Sequence, residues 1–246
     1  MNRNKKIIEN DSLLRKIVYC IDKAIVEDVP KYLRDSHLET TNGIGLTKGD
    51  YINTNLRNHV ITDGIDLVPF KRYAWSGRIV VDRIGHITYS IMTEETLSSI
   101  PKKKNRERPH YLQTVLYVEN GECIAQYQQM TLQELGITIF DGEALEQDFE
   151  NISQGRIDKN EDYRHYIIVY QAEHGEIKSI KLKLLDKNFN VVDEVSITKY
   201  IKPDFARLTD IEAIEGVDEE NIEDKKGLLA VKKGLQPQLR ELEKQA

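Results

Sequence analysis

Residues 165–199 read His165-Tyr-Ile-Ile-Val-Tyr-Gln-Ala172, Glu173-His-Gly-Glu176, Ile177-Lys-Ser-Ile-Lys-Leu-Lys-Leu-Leu185, Asp186-Lys-Asn-Phe-Asn190 and Val191-Val-Asp-Glu-Val-Ser-Ile-Thr-Lys199. Three runs rich in β-branched and aromatic residues are divided by two short polar segments with turn composition, which predicts strands at about 165–172, 177–185 and 191–199. Connections this short leave room only for antiparallel neighbours. A meander of this kind decides the fold class.

Working upstream, the apolar period is close to 2 from residue 65. Tyr73, Trp75, Ile79 and Val81 alternate with Arg72, Ser76, Arg78 and Asp82, predicting one strand over 72–82. Arg83-Ile-Gly-His86 then turns into a second strand with Ile87, Tyr89 and Ile91 on one face. Thr93-Glu94-Glu95 starts a short helix that Pro101 ends. Tyr111–Val118 reads as a third strand, and Asn120-Gly121 as a hairpin turn into a fourth over 122–129. Thr131-Leu-Gln-Glu134 is a capping box for a short helix closed by Gly136, and 141–160 reads as a helical turn followed by a loop.

The N-terminal third has helical spacing instead. Leu14, Ile17, Val18, Ile21, Ala24 and Ile25 form the stripe of a helix over 12–28, capped by Asp11 or Ser12 and limited by Pro30. Thr47-Lys-Gly-Asp50 begins a second helix with stripe Ile52, Leu56 and Val60, leaving Asn53, Asn55 and Asn58 on its other faces. The expected fold is therefore α+β: a mostly antiparallel sheet of about six to seven strands covered by two N-terminal helices. Residues 1–203 form one core domain. Composition changes after Pro203, where 210–224 hold eight acidic and no basic residues and Lys225, Lys226, Lys232 and Lys233 follow. This 204–246 segment is expected to be a charged, partly disordered or helical C-terminal tail.

The chain of 246 residues carries a net charge of −6, so its overall field does not draw it to nucleic acid or anionic membrane. It has no apolar run near the ~20 residues of a membrane span and no signal-peptide core after its basic N-terminus. Cys20 and Cys123 lie in apolar surroundings without CxxC spacing and read as buried thiols of a cytoplasmic protein.

Most catalytic signatures are missing. Gly43-Ile-Gly-Leu-Thr-Lys-Gly49 has the lysine before its last glycine and no apolar strand leading in, so it is no phosphate loop. The six histidines show no zinc spacing, and Ala74-Trp-Ser-Gly-Arg78 lacks the first glycine of a nucleophile elbow. A Mg²⁺-dependent nuclease or phosphodiesterase of restriction-endonuclease-like type, with a degenerate motif, would use Asp82, Glu119 and Asp50. The 111–118 run has no Glu-x-Lys to complete that set, and Glu119 reads more simply as the residue before a turn. No other cofactor is implied.

The most informative local feature is basic. Lys102, Lys103, Lys104, Arg106 and Arg108 fall between Pro101 and Pro109, with Lys71, Arg72 and Arg78 and the aromatics Tyr73, Trp75, Tyr89 and Tyr111 nearby. Cations beside aromatic rings can hold a phosphate backbone and stack bases. Lys102, Lys103, Lys104, Arg106, Arg108, Lys71, Arg72 and Trp75 are thus the expected contacts to nucleic acid or to an acidic protein surface. The acidic 210–224 segment is a further expected occupant, in which case deleting 204–246 raises affinity for a polyanion at low salt.

Asp50-Tyr-Ile-Asn-Thr-Asn-Leu56, Lys71-Arg-Tyr-Ala-Trp75 and Tyr89-Ser-Ile-Met92 resemble a family of bacterial proteins of unknown function from low-GC Gram-positive organisms and their mobile elements. The resemblance spans about 35–200. It implies no activity and no catalytic residue, and suggests a phage, defence or plasmid setting. The expected function is a non-enzymatic binding module acting through the 101–111 loop.

Overall fold

The structure, a computed structural model, describes residues 10–72, 75–103, 106–125 and 140–202. The expected helix at 131–136, Tyr73, Lys104 and the 204–246 tail lie outside the described residues. The chain divides into two units, Met1–Ile201 and Lys202–Ala246; the fold below is that of the first.

Asn10 caps α1 (Asp11–Lys23), its side chain accepting from the Leu13 amide at 3.2 Å, one residue ahead of the expected cap. The stripe from Leu14 to Ile25 is buried as its spacing predicts. Pro30 does not end the helix. A π turn (Ala24–Asp28) absorbs the proline, with the Val29 amide bonding back to Ala24, and α2 continues over Val29–Ser36. The wider π ring resettles the backbone that a proline disturbs in a regular helix. Helix α3 (Ile44–His59) starts before the expected capping box, because the Thr47 hydroxyl bonds back to the Gly43 carbonyl at 3.2 Å instead of capping. Ile52, Leu56 and Val60 are buried, and so is Asn55, whose amide donates to Asp28 at 2.8 Å and ties α3 to the π turn.

Six strands follow: β1 (Ile65–Arg72), β2 (Trp75–Asp82), β3 (Ile87–Thr93), β4 (Arg164–Glu173), β5 (Glu176–Leu185) and β6 (Val191–Ser196). The stretch expected as one strand over 72–82 is thus the end of β1 and the whole of β2. The sheet order is β1-β2-β3-β4-β5-β6, with every neighbouring pair antiparallel except β3–β4. The predicted meander is β4–β6, followed by a 3₁₀ turn at Thr198–Tyr200.

A parallel pair needs a long crossover, and three helices occupy it: α4 (Glu94–Ser99), α5 (Tyr111–Glu119) and α6 (Gly142–Ser153). Here the sequence reading is corrected. Tyr111–Val118 is a helix, residues 123–125 are irregular rather than the start of a fourth strand, and 142–153 is a twelve-residue helix rather than a turn. Tyr111 to Leu116 are buried at six successive positions. A helix enclosed on all sides has no polar face, so its sequence carries no 3.6 period and its β-branched and aromatic residues mimic a strand.

Helices therefore cover both faces, not one. On the first, α1 and α3 pack on Ile65, Val80, Ile87, Tyr89, Tyr166, Ile168 and Leu182. On the second, α4, α5 and α6 pack on Val68, Phe70, Ile79, Val81, Ile167 and Val169. Double coverage explains the unbroken Ile79-Val-Val81 run. Cys20 is buried, which pushes its thiol up to about 12, while Cys123 is only half-buried. Among the described residues no helix is long and apolar enough to cross a membrane.

Candidate functional site

Strand β2 pairs with β3 over only three positions, Val80↔Tyr89, Val81↔Thr88 and Asp82↔Ile87, whereas it pairs with β1 along all eight of its residues. The sheet therefore forks. Beyond Val80 the tip of the β1–β2 hairpin leans away from β3, and no described strand fills the wedge. A cavity of about 540 Å³ occupies this fork, with Trp75–Arg78 on one side, Ile91–Thr93 on the other, the N-terminal half of α3 above one face, and His110 and Tyr111 at the other.

Two further cavities adjoin it. On the α5 side, about 330 Å³ is lined by Arg72, Trp75, Arg106, Arg108, His110 and Tyr111 with Glu107 and Pro109. On the α3 side, about 540 Å³ is lined in part by Asp50, Arg57, Lys71, Ser76 and Arg78. Strand parity assigns the cations to their sides. Arg72 shares a face with Phe70 and the cross-strand partner Trp75, and Lys71 points the opposite way with Ser76.

The α5-side cavity is built with care for charge. The Arg72 guanidinium is held by Asp148 of α6, which also accepts from the Thr114 hydroxyl at 2.6 Å, and the Arg72 Nε is buried with no hydrogen-bond partner. Arg106 is half-buried; it donates to the Ile100 carbonyl at 3.3 Å, and no carboxylate among the described residues pairs with it. Burial alone moves its pKa below the ordinary arginine value. His110 caps α5, its Nδ1 accepting from the Leu112 amide at 3.2 Å, which leaves a neutral ring protonated at Nε2. Burial first, then Arg106, Arg72 and Lys103, push its pKa down to about 3. The positive end of α5 adds to the same field.

The aromatic part is a packed cluster. Phe70 meets Trp75 edge-on at 5.4 Å and Tyr111 at 4.7 Å, and Trp75 lies 5.5 Å from Tyr111. Trp75 nonetheless remains 40% exposed. Gly77 makes this packing possible, because a Cβ there would fall 2.6 Å from both Phe70 Cζ and Trp75 Cη2. Gly77→Ala is expected to displace the indole and to destabilise the fold by about 1–3 kcal/mol, as overpacking does. The emission maximum of Trp75, the one tryptophan of the chain, and the thermal midpoint check this. If both match the parent protein, the rings are not packed as described.

The expected basic set is only partly brought together. Arg72, Trp75, Arg106 and Arg108 line one cavity and Lys71 another, while Lys102 and Lys103 are exposed and line neither. Lys104 lies outside the described residues. Tyr89 is buried against Tyr166 on the α1 side and is not part of the surface.

The expected carboxylates do not converge. Asp82 is buried at the end of β2, accepting from the Ile84 and Gly85 amides at 3.1 and 2.8 Å and from Asn10 at 2.6 Å. The Glu119 side chain is buried on the opposite face of the sheet, and Asp50 is exposed on α3. Among the described residues no three His, Cys, Asp or Glu side chains are grouped as a cation would require.

Glu119 has surroundings that the sequence did not reveal. The Thr88 hydroxyl lies between the Glu119 carboxyl and His165 Nδ1, the latter at 2.7 Å. Glu119 Oε1 and His165 Nε2 are buried without hydrogen-bond partners. Asn120, expected in a hairpin, is fully buried and pins α5 to the strands. Its side chain donates to the His165 and Leu185 carbonyls at 2.9 and 2.8 Å and accepts from the His165 amide at 2.9 Å. Only a helical reading of 111–119 would have placed these groups.

Residues 6–245 match a family model described as a family of unknown function, DUF5986. The chain belongs to DUF5986. Membership bears out the resemblance to proteins without an assigned activity and extends it beyond 35–200, because the match takes in residues 204–245 of this DUF5986 chain. No curated protein and no solved structure matches it.

Proposed function

We propose that the protein is a binding module for single-stranded nucleic acid, held along the basic and aromatic cleft at the tip of the β1–β2 hairpin. One observation carries this reading: Arg106 is half-buried in a cavity that holds Arg72 and Arg108 and a single carboxylate, the exposed Glu107, and no carboxylate among the described residues is paired to Arg106. A partly desolvated cation without a counter-charge favours an anionic ligand. Trp75 beside it supplies a stacking surface that a free phosphate would not use. Lys71, Arg57 and Arg78 on the α3 side, three cations against the single carboxylate of Asp50, extend the positive surface across the hairpin, as a ligand several phosphates long requires.

Fluorescence anisotropy of a labelled single-stranded oligonucleotide at two salt concentrations tests the proposal. Affinity is expected to fall with salt. Arg106→Ala is expected to weaken low-salt binding about 5- to 10-fold and to reduce the log–log salt slope by ~0.7, the value for one phosphate contact on a single strand. Lys102→Ala with Lys103→Ala, outside the cavities, is expected to change affinity less. Absence of binding at low salt would refute the nucleic-acid reading and direct attention to an acidic protein partner.

A further inference from the structure

We infer that the fork between β2 and β3 is a slot for a single unstacked base, with Trp75 as its stacking wall; this rests on the nucleic-acid reading and gives it a substrate class. The fork opens because only three residues of β2 pair with β3. Past that point the backbone N–H and C=O of Ser76 and Arg78 point away from β1, have no strand partner among the described residues and border the cavity, while those of Gly77 face Phe70 of β1. The outward groups are donors and acceptors in fixed positions, able to pair with the edge of a base. The Thr93 and Thr96 residues line the far wall and add hydroxyls.

The charges flanking the slot fit a strand that crosses it. Arg72, Arg106 and Arg108 line the cavity on the α5 side against one carboxylate, Glu107, and Arg57, Lys71 and Arg78 the one on the α3 side against Asp50, so cations outnumber carboxylates on both sides. Trp75 is shared by the fork and the α5-side cavity, and Arg78 by the fork and the α3-side cavity. Phosphates on either side of one inserted base would each meet guanidinium or ammonium groups. A base in a duplex is stacked and paired and cannot enter without being extruded, at a cost of a few kcal/mol. The slot therefore selects single strands. An extended peptide could also lie along unpaired strand edges, but it offers no array of anions to match cations on both sides.

Trp75 is the sole tryptophan, so intrinsic emission reports on the slot directly. The full chain is titrated with three labelled ligands of equal length, affinity being read from their anisotropy and contact with the slot from Trp75 emission: a single-stranded oligonucleotide, the same strand with every base replaced by an abasic site, and a duplex. The intact strand is expected to quench Trp75 and to bind about 10-fold or more tighter than the abasic strand, which leaves emission unchanged. The duplex is expected to bind more weakly than the intact strand without quenching. Trp75→Phe is expected to keep most of the preference for bases and Trp75→Ala to abolish it, with the salt slope unaltered in both. Equal binding of intact and abasic strands, with Trp75 unmoved, would overturn the slot while leaving the nucleic-acid reading standing. If none of the three binds at low salt, both fall. If a polyglutamate peptide quenches Trp75 and displaces the oligonucleotide as effectively as an unlabelled strand, the site reads charge rather than bases and the slot is again refuted.

Discussion

Replacing Asn120 by alanine is expected to destabilise the fold by about 3–5 kcal/mol, because three buried backbone groups lose their partners together. The Asn120 amide donates to the His165 and Leu185 carbonyls, and its oxygen accepts from the His165 amide. It thereby joins the C-terminus of α5 to the start of β4 and the end of β5, where the two strands run side by side. Each hydrogen bond is worth roughly 1 kcal/mol net, but a buried group left unpaired costs roughly 1–3 kcal/mol. Against a typical stability of about 5–15 kcal/mol the loss is large. Urea denaturation should show a lower midpoint at an unchanged slope. A loss under about 1 kcal/mol would mean that the three groups find other partners, and that Asn120 is not what fixes α5 to the sheet. Asn120→Asp is expected to do no better, since it surrenders both donors and buries a charge.

Glu119→Gln is expected to act in the opposite direction at alkaline pH. Burial pushes the Glu119 carboxyl up to about 8, only partly offset by the Thr88 hydroxyl, and pushes His165 down to about 3. Glu119 keeps its proton in the fold over a range where the unfolded chain has lost it. Its contribution is therefore fully present below the ordinary value of 4.5 and is lost as pH rises through about 8. His165 stays neutral in the fold while the unfolded imidazole gains a proton. Its contribution is present above 6.5 and is lost as pH falls towards about 3. Between 4.5 and 6.5 the two slopes cancel, so these residues together give a plateau there and a decline on either side.

Glutamine keeps a neutral side chain of the same length, and so removes the alkaline decline. At about 1.4 kcal/mol per pH unit, Glu119→Gln should be more stable than the parent by roughly 3–4 kcal/mol at pH 8 and nearly equal to it at pH 4.5. Chemical denaturation at pH 4.5, 6.5 and 8 measures this. A parent protein whose stability does not change between pH 6.5 and 8, or a variant no more stable at pH 8, would show that Glu119 is ionised in the fold.

What the sequence disclosed divides along a physical line. The stripe of α1 and the alternation along β5 declare themselves because each element faces something different on its two sides, and β4, buried on both, declares itself as a β-branched and aromatic run bounded by turns. Helix α5 does not, since Tyr111 to Leu116 are buried whichever way they point, and with that error the second helical layer, the Asn120 anchor and the setting of Glu119 were all hidden. The candidate surface was legible as composition and not as geometry. Lys102, Lys103, Arg106 and Arg108 are near one another in the chain, but only the arginines line the cavity with Arg72 and Trp75. Adjacent Lys71 and Arg72 lie on opposite sides of the sheet because strand neighbours alternate. The fork itself has no sequence signature, because it depends on where β2 stops pairing with β3.

The β3–β4 pair has a consequence for how the chain reaches this structure. It is the seam between two runs of antiparallel neighbours, β1–β3 and β4–β6, each of which can zip from its own turns. Closing the seam brings together residues such as Thr88 and His165, which are 77 positions apart. Loop-closure entropy must be overcome before those contacts return anything. Within the sheet the long-range step of folding therefore falls at β3–β4, and the Thr88–Glu119–His165 cluster can assemble only once that step is complete.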